Sequence, residues 1–369
     1  MKKIAIIGAS YLQLPLVLKA KSMGIETHCF ALEEGAVFKD LCNFFYPISV
    51  MEKDKILEIC RKIKIAGITS ISSGVAAPIV CYVSEKLNLI SNFYESALIA
   101  TDKYKMRYFF SNNGISSPKY KLISKNYSLT DMHFPLIVKP TDRSGSRGAA
   151  KVESEEFLAI AIDHAKDESF SKHVIIEEFI DGDEVSVETI SCKGEHFVLS
   201  ITDKVTTGEP NFVELEHHQP SSLSIEIQKK LKVETIKALQ VLKIEYGASH
   251  AEFKIKSNGD LFILEIGARM GGDFIGSDLI PPSTGYDFVK GVIEISLGYF
   301  HEPQINKNRY SGVYFLSKET EHILPTIKNI KIDNRILRYE ITNNQLNLIS
   351  CSADRSGYFI YESESKYNL

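Results

Sequence analysis

The order of apolar runs predicts an α/β and α+β chain in three parts: a parallel α/β domain over 1–97, an α+β domain over 98–300 and a small, mostly β subdomain over 301–369. Three observations lead there. Before residue 98, short β-type runs alternate with stretches of helical periodicity, the pattern of a parallel sheet with crossover helices. Beyond it hairpin signals dominate, above all Asn258-Gly259 between two apolar runs. Past residue 301 the helical periodicity fades. There is no internal repeat and no low-complexity linker.

In chain order, strands are predicted at 3–7, 26–30 and 68–72, with helices at 11–23, 52–64 and 76–87. The start "MKKIAIIGASYLQLPLVLKAKSMG" has the basic end and apolar stretch of a signal peptide. Leu12, Leu16, Val17 and Ala20 lie at helical spacing, however, with Lys19 and Lys21 on the other side. A signal h-region does not normally carry that amphipathic pattern, so strand–turn–helix is the reading. The first turn, "GASYLQ", lacks the G-x-G-x-x-G dinucleotide fingerprint. It suits either an anion at a helix N-terminus or a bare tight turn.

Asp102 or Thr101 caps a helix over 103–112, Asn112-Asn113-Gly114 ends it, and Pro118 begins an extended segment. The middle domain divides into a small lobe, about 100–175, and a large lobe, about 176–300. Its later elements are a helix at 154–166, the strand–turn–strand "HVIIEEFIDGDEVSVETISC", a helix over 223–243 and the hairpin "ASHAEFKIKSNGDLFILEIGARMGG". A helix at 285–297 follows, with Thr284 and Asp287 as its capping box.

Composition narrows the function classes. Hydrophobic residues make up 44% and charged residues 24%, an ordinary globular balance. A net charge of -4 gives no support to a nucleic-acid partner. The six cysteines are scattered without C-x-x-C spacing, which reads as reduced thiols, not a disulfide frame or zinc site. No apolar run is long enough to span a membrane. The expectation is a cytoplasmic protein with small-molecule partners, a homo-oligomer being left open.

Two stretches carry chemistry. The first is "IVKPTDRSGSRGAA", residues 137–150. A β-branched run ends in Lys139, and the loop after it sets Gly145, Ser146 and Gly148 beside Arg143 and Arg147. The order is wrong for a P-loop, whose lysine follows its glycines and opens a helix. A hairpin tip over a polyphosphate fits better. The second is the hairpin at 250–269. Glu252 and Glu265 are equally far from Asn258-Gly259, so a two-residue turn would set them directly across from each other. Paired like charges call for a cation, and oxygen ligands suit Mg²⁺ held on a nucleotide; the alternative is a solvated strand face with two unlinked acids. Arg269, four residues after Glu265, is near enough to meet phosphate charge.

At this point the sequence resembles the ATP-grasp superfamily of carboxylate–amine and carboxylate–thiol ligases, over nearly the whole chain. The N-terminal unit looks like its pre-grasp domain. "TDKYKMR" resembles the first lysine helix, "IVKPTDRSGSRG" the second lysine and phosphate loop, and "IIEEFIDGDEVSVE" the adenine hinge with a ribose-binding acid. "HAEFK" and "LEIGARMGGD" resemble the metal-binding strands and catalytic arginine, the latter closest in form to the L-amino acid ligase branch.

The resemblance implies an ATP-grasp fold and, as cofactors, ATP with Mg²⁺, for which Mn²⁺ could substitute. It places Lys103 and Lys139 on the α- and β-phosphates, and Ser144, Gly145, Ser146, Arg147 and Gly148 over the β,γ-phosphates. Glu177, Glu178 and Ile180 would line the adenine, Glu184 would take the ribose hydroxyls, and Glu252 and Glu265 would ligate Mg²⁺. Arg269 would stabilise an acyl phosphate. Gly267 departs from the pattern, since many relatives carry Asn there, which bears on a second Mg²⁺. His250, Lys204, Gly271 and Gly272 are candidates for the substrate pocket. His250 could equally be a satisfied core histidine. His217 and His218 invite a metal reading, but adjacent strand residues point to opposite faces, and a loop is preferred.

The implied activity is ligation of a small-molecule carboxylate, an amino acid or similar acid, to an amine with release of ADP. One alternative is a purine-pathway enzyme acting on a ribonucleotide with formate or bicarbonate. Another is a nucleotide-binding regulatory protein without turnover.

Overall fold

A computed structural model describes residues 1–123, 128–328, 333–343 and 345–367. The first sheet consists of β1 (Lys3–Ile7), β2 (Glu26–Ala31), β3 (Phe44–Pro47) and β4 (Gly67–Thr69), with helices α1 (Leu14–Ser22), α2 (Lys53–Ile63) and α3 (Ala76–Leu87). Its order is β3-β2-β1-β4, all parallel. The buried face of α1 is Leu16, Val17 and Ala20, as the periodicity predicts. Two boundaries differ from expectation. Residues 11–13 form a 3₁₀ turn, because Gln13 folds back to accept from the Ser10 N–H at 3.1 Å and donates to the Ile71 carbonyl at 2.8 Å. The strand expected at 68–72 stops at Thr69, and Ser72 is left-handed with φ 58°. The aromatic edge strand β3 was not anticipated.

Helices α4 (Tyr94–Ile99) and α5 (Lys103–Asn112) lead into a second sheet. It contains β5 (Tyr120–Leu122), β6 (Leu136–Pro140), β7 (Ala150–Val152) and β8 (Val174–Glu178), with α6 (Leu158–Glu168) on one face. Its order is β5-β8-β6-β7 and every pairing is antiparallel. Asp102 caps α5 as predicted, accepting from the Lys105 N–H at 3.0 Å. The helix expected at 154–166 opens as a 3₁₀ turn over Glu155–Phe157 and runs on to Glu168.

The third sheet has eight strands: β9 (Asp183–Cys192), β10 (Glu195–Thr206), β11 (Glu214–Gln219), β12 (Gly247–Ile255), β13 (Leu261–Gly267), β14 (Tyr310–Leu316), β15 (Ile336–Ile341) and β16 (Gly357–Ser363). Between them run α7 (Ile225–Val241), α8 (Ile280–Thr284), α9 (Phe288–Ser296) and α10 (Leu324–Lys328). The order is β13-β12-β9-β10-β11-β14-β16-β15, so the β-rich tail extends the large sheet through β11–β14 instead of closing on itself.

The loop expected at His217-His218 is instead the strand β11, held between β10 and β14. Its two imidazoles are tolerated there because acceptors meet them: Glu216 and Tyr361 on His218 at 2.7 and 2.9 Å, Asp273 near His217. The capping box at Thr284 is also corrected. Asp287 caps α9 alone, while Thr284 ends α8 and donates its hydroxyl to the Ile280 carbonyl. One apolar cluster joins Ile4, Ile6, Leu16 and Val17 of the first domain to Phe288, Val292 and Ile293 of α9, which fixes the first domain against the large sheet. A second, built from Phe110 of α5, Leu231 and Leu239 of α7, and Phe253 and Ile266, fastens two helices to the opposite face.

Candidate active site

A cavity of about 580 Å³ lies between the two antiparallel sheets and the turns of the first domain. One face of the large sheet forms its floor, and strand register decides which side chains stand there. On β12 these are His250, Glu252 and Lys254; across from them on β9 are Glu188, Ser186 and Glu184. On the far side of β9, Lys204 of β10 pairs with Glu184, and His217 of β11 pairs with Lys204. Period-two alternation puts all of these on one face.

Glu252 and Glu265 are direct cross-strand partners, but not through a two-residue turn. The connection runs from Lys256 to Asp260, and Ile255 pairs with Leu261. That register alone would set Glu252 opposite Leu264. A bulge between Glu252 and Phe253 takes up the extra residue on β13, so Leu264 is skipped and the two acids meet. The carbonyl of Leu264 is then free of the ladder and accepts from Arg107 Nη2 at 2.5 Å.

Helix α5 supplies cations from one face, since Lys103 and Arg107 are four residues apart. Lys103 Nζ sits 3.0 Å from Glu265 and donates to the Arg143 carbonyl at 2.6 Å. Arg107, with no exposed surface, lies 2.9 Å from Glu177. Lys139 reaches the other oxygen of Glu177 at 2.7 Å, because β6 and β8 pair so that the two share a face. Glu177 is thus held inside an Arg–Glu–Lys triad and is not open to a base. Burial pushes its carboxyl up, but Arg107 and Lys139 outweigh that and hold it below the ordinary range. Burial likewise pulls Lys139 down. Arg107 was missed from the sequence; its spacing from Lys103 was the available signal.

Around Glu252 the floor is densely paired. Lys204 lies 2.7 Å from Glu184, 3.0 Å from Glu252 and 3.5 Å from Glu214. Burial opposes its charge, yet these three carboxylates raise its pKa well above that of a free lysine. Lys204 is therefore engaged by acids and is not directed at a substrate carboxylate. Lys254 approaches Glu184 at 3.4 Å. His250 contacts Glu188 through Nδ1 and Glu252 through Nε2 at 3.0 Å. Burial would keep its ring neutral, but Glu188 and Glu252 raise its pKa to about 9, so it is cationic at neutral pH. The second oxygen of Glu188 accepts from the Gly271 N–H at 3.0 Å, and a Cβ at Gly271 would stand 2.8 Å from both Glu188 and His250. Only glycine permits that approach. Glu188 was also missed, although it follows Glu184 at strand alternation.

The Asp142–Gly148 segment is the tip of the β6–β7 hairpin, as predicted. Gly145, Ser146 and Gly148 have φ of 67, 57 and 69°. Gly148 has a second constraint, since a Cβ there would come within 2.8 Å of Glu168. Ser144, Gly145, Ser146 and Arg147 line the cavity, while Gly148 turns the chain behind them. Glu178, Ile180 and Glu184 line it from the connection between the sheets, and Gly272 from the opposite end.

Two ionised carboxylates face each other at Glu252 and Glu265. Burial raises both, but Lys204 with His250 holds Glu252 well down, and Lys103 holds Glu265 down. Two hard oxygen donors fit Mg²⁺, which takes its remaining ligands from phosphate and water. Among the described residues no group of three or more His, Cys, Asp or Glu side chains is arranged to hold an ion alone. The fit is thus to an ion carried on a nucleotide. At Gly267, a Cβ would lie 3.1 Å from Arg269 Nε, so the guanidinium fills the space a side chain at 267 would take. That Nε is buried and has no hydrogen-bond partner, which suits it to an anion.

A nucleotide-sized cleft between two antiparallel sheets, with lysines on one wall and paired acids on the other, defines a class of fold, and comparison bears it out. Residues 132–278 match the model of the ATP-grasp domain, and the chain belongs to that family. Alanine–anticapsin ligase of Bacillus subtilis (strain 168) is 28% identical over 312 residues, covering 74% of this chain and 65% of its own length. The chain therefore matches less than two thirds of that relative. The crystal structure of L-amino acid ligase from Bacillus licheniformis superposes with a TM-score of 0.82 at 22% identity, covering 99% of this chain and 94% of that one. N5-carboxyaminoimidazole synthetase from Staphylococcus aureus, complexed with ADP, superposes with a TM-score of 0.80 at 16% identity, covering 99% and 94%. Among the described residues no helix is long and apolar enough to cross a membrane.

Proposed function

We propose that the protein is an ATP-dependent ligase that joins a small carboxylate, of the amino-acid class, to an amine through an acyl phosphate, releasing ADP and phosphate. The observation that carries this reading is the directly paired Glu252 and Glu265 on the cavity floor, with Lys103 beside one and Arg269 beyond. Bound Mg²⁺ would bridge the phosphates and neutralise their charge. Lys103 and Lys139 then act as point charges on phosphate oxygens. The Ser144–Gly148 tip closes over the outer phosphates with its backbone N–H groups. Glu178 and Ile180 border the base and Glu184 the ribose. Arg269, its Nε unpartnered, stabilises charge on the transferring phosphoryl group and the acyl phosphate. The chain supplies positioning and charge, not a covalent nucleophile.

The amino-acid class draws support from the relative named as a ligase of alanine with anticapsin. The test is a screen of amino acids and simple carboxylates, singly and paired with amines, for ATP-dependent phosphate release with the nucleotide product identified. Release of ADP that needs a carboxylate supports the reading. A protein that binds nucleotide and releases no phosphate with any pair contradicts it.

A further inference from the structure

The cavity has a second end, away from the lysines and the Ser144–Arg147 tip. Its walls include Ser10 and Tyr11 of the first turn, Gly272 and Asp273, His217 of β11 and Ser352 of the tail. Asp273 and Phe274 are consecutive left-handed residues, with φ of 49 and 67°. Such a conformation in a non-glycine residue costs on the order of 1–3 kcal/mol and persists only where the surroundings enforce it. Here Asp273 Oδ2 takes Arg355 Nη1 at 2.7 Å and lies 3.9 Å from His217 Nε2. Both partners meet the same oxygen, which leaves Oδ1 for the cavity. Arg355 itself is spent on Glu214 and on the face of Phe315 at 3.7 Å.

His217 is the independent sign of a ligand. It is 1% exposed, lines the cavity, and its Nδ1 is buried without a hydrogen-bond partner. Burial holds the ring neutral. With the Nε2 proton directed at Asp273, Nδ1 is an acceptor that lacks a donor. The groups at this end thus accept hydrogen bonds and carry negative charge, and they call for a cationic group with several N–H donors.

We propose that Asp273 and His217 hold the ammonium group of an α-amino acid, the same molecule whose carboxylate is presented to Arg269. The fate of that carboxylate rests on the ligase reading; the ammonium subsite does not. The ammonium held here belongs to the acyl donor and not to the attacking amine, because a protonated nitrogen clamped by a carboxylate has no lone pair with which to attack. Asp273 is also too weak a base to relieve it, since Arg355 and His217 hold its pKa far below the carboxylate range against the effect of burial.

The test is equilibrium binding to the full chain with Mg²⁺ and a non-hydrolysable ATP analogue. L-Alanine, L-leucine, L-phenylalanine and L-glutamate are each compared with propionate, 4-methylpentanoate, 3-phenylpropanoate and glutarate, the same acids without the amino group. At least one amino acid should bind ~10- to 100-fold more tightly than its partner, the range of a charge-assisted hydrogen bond. Asp273→Asn should bring that ratio close to one. Asparagine accepts the left-handed conformation readily, so the turn is kept. Arg355→Gln removes the structural partner and leaves the Asp273 carboxylate, so it should retain the preference. A ratio near one for every pair in the wild type, including no binding at all, overturns the proposal. So does a D273N protein that keeps the preference, or an R355Q protein that loses it as completely as D273N. Amino-acid binding without ADP release contradicts the ligase reading alone; ADP release driven equally by both members of every pair contradicts the ammonium subsite alone.

Discussion

Replacing Arg107 by methionine tests the link between the small-lobe sheet and the cavity floor. The arginine is fully buried, 2.9 Å from Glu177, and its Nη2 donates to the Leu264 carbonyl at the bulge. Methionine matches much of its volume and none of its charge. Breaking a buried ion pair costs ~3–5 kcal/mol, and an orphaned carbonyl adds ~1–3 kcal/mol. Lys139 remains on Glu177 and the methionine gains apolar contact, so the net loss should be ~4 kcal/mol. Amide hydrogen exchange over residues 103–112 and 174–178 is the suitable assay, because it reports local opening. Exchange there should accelerate by about three decades, at ~1.4 kcal/mol per decade. Glu177→Gln alone should also destabilise, and the double variant should cost clearly less than the sum, as partners in one network do. Glu177 has a depressed folded pKa, so its contribution is present above the ordinary carboxylate range and lost as pH falls through the folded value. In R107M that acid edge should move to higher pH. Unchanged exchange in R107M, or strict additivity with E177Q, would refute the triad as a structural unit.

Other outcomes follow from the same geometry. Glu265→Gln should lower turnover by at least ~100-fold, about the loss of one preorganised charge at a reacting centre, while nucleotide binding is weakened but detectable; near wild-type turnover would make Glu265 an ordinary strand residue. Proteolysis at Arg143 and Arg147 should be suppressed by Mg²⁺ with a non-hydrolysable ATP analogue, and equal cleavage with and without it would remove the phosphate-lid role. The His250 ring, followed by NMR in the presence of a chelator, should titrate near pH 9. Its folded pKa is raised, so the stability it contributes is complete below about pH 6.5 and is lost as pH rises through the folded value. Glu188→Gln should bring the titration down, and a ring that already titrates near its ordinary value would contradict the Glu188 pairing.

Much of this site was legible because strand alternation is short-range. "HAEFK" places His250, Glu252 and Lys254 on one face, and "EVSVE" does the same for Glu184, Ser186 and Glu188. The pairing of Glu252 with Glu265 was expected for a reason that does not hold, since a longer connection and a bulge compensate each other. Bulges depend on tertiary demand, here the fit of α5 with its Arg107, which sequence periodicity does not encode. The same limit explains β11, where two histidines and two glutamates look like loop until the neighbours that satisfy them are in place. Lys204 was read as a substrate anchor because its three acidic neighbours come from β9, β11 and β12, far apart in the chain.

The central claim is an acyl phosphate intermediate, and hydroxylamine trapping tests it most directly. With ATP, Mg²⁺ and a productive carboxylate but no amine, hydroxylamine should yield the hydroxamate in step with ADP. In Arg269→Ala the trapping rate should fall by ~10²–10³, for ~3–4 kcal/mol of lost charge stabilisation. Lysine at 269 should recover little of it, since it cannot reproduce the guanidinium's bidentate geometry. Formation of AMP and pyrophosphate in place of ADP, with any productive carboxylate, would contradict the account.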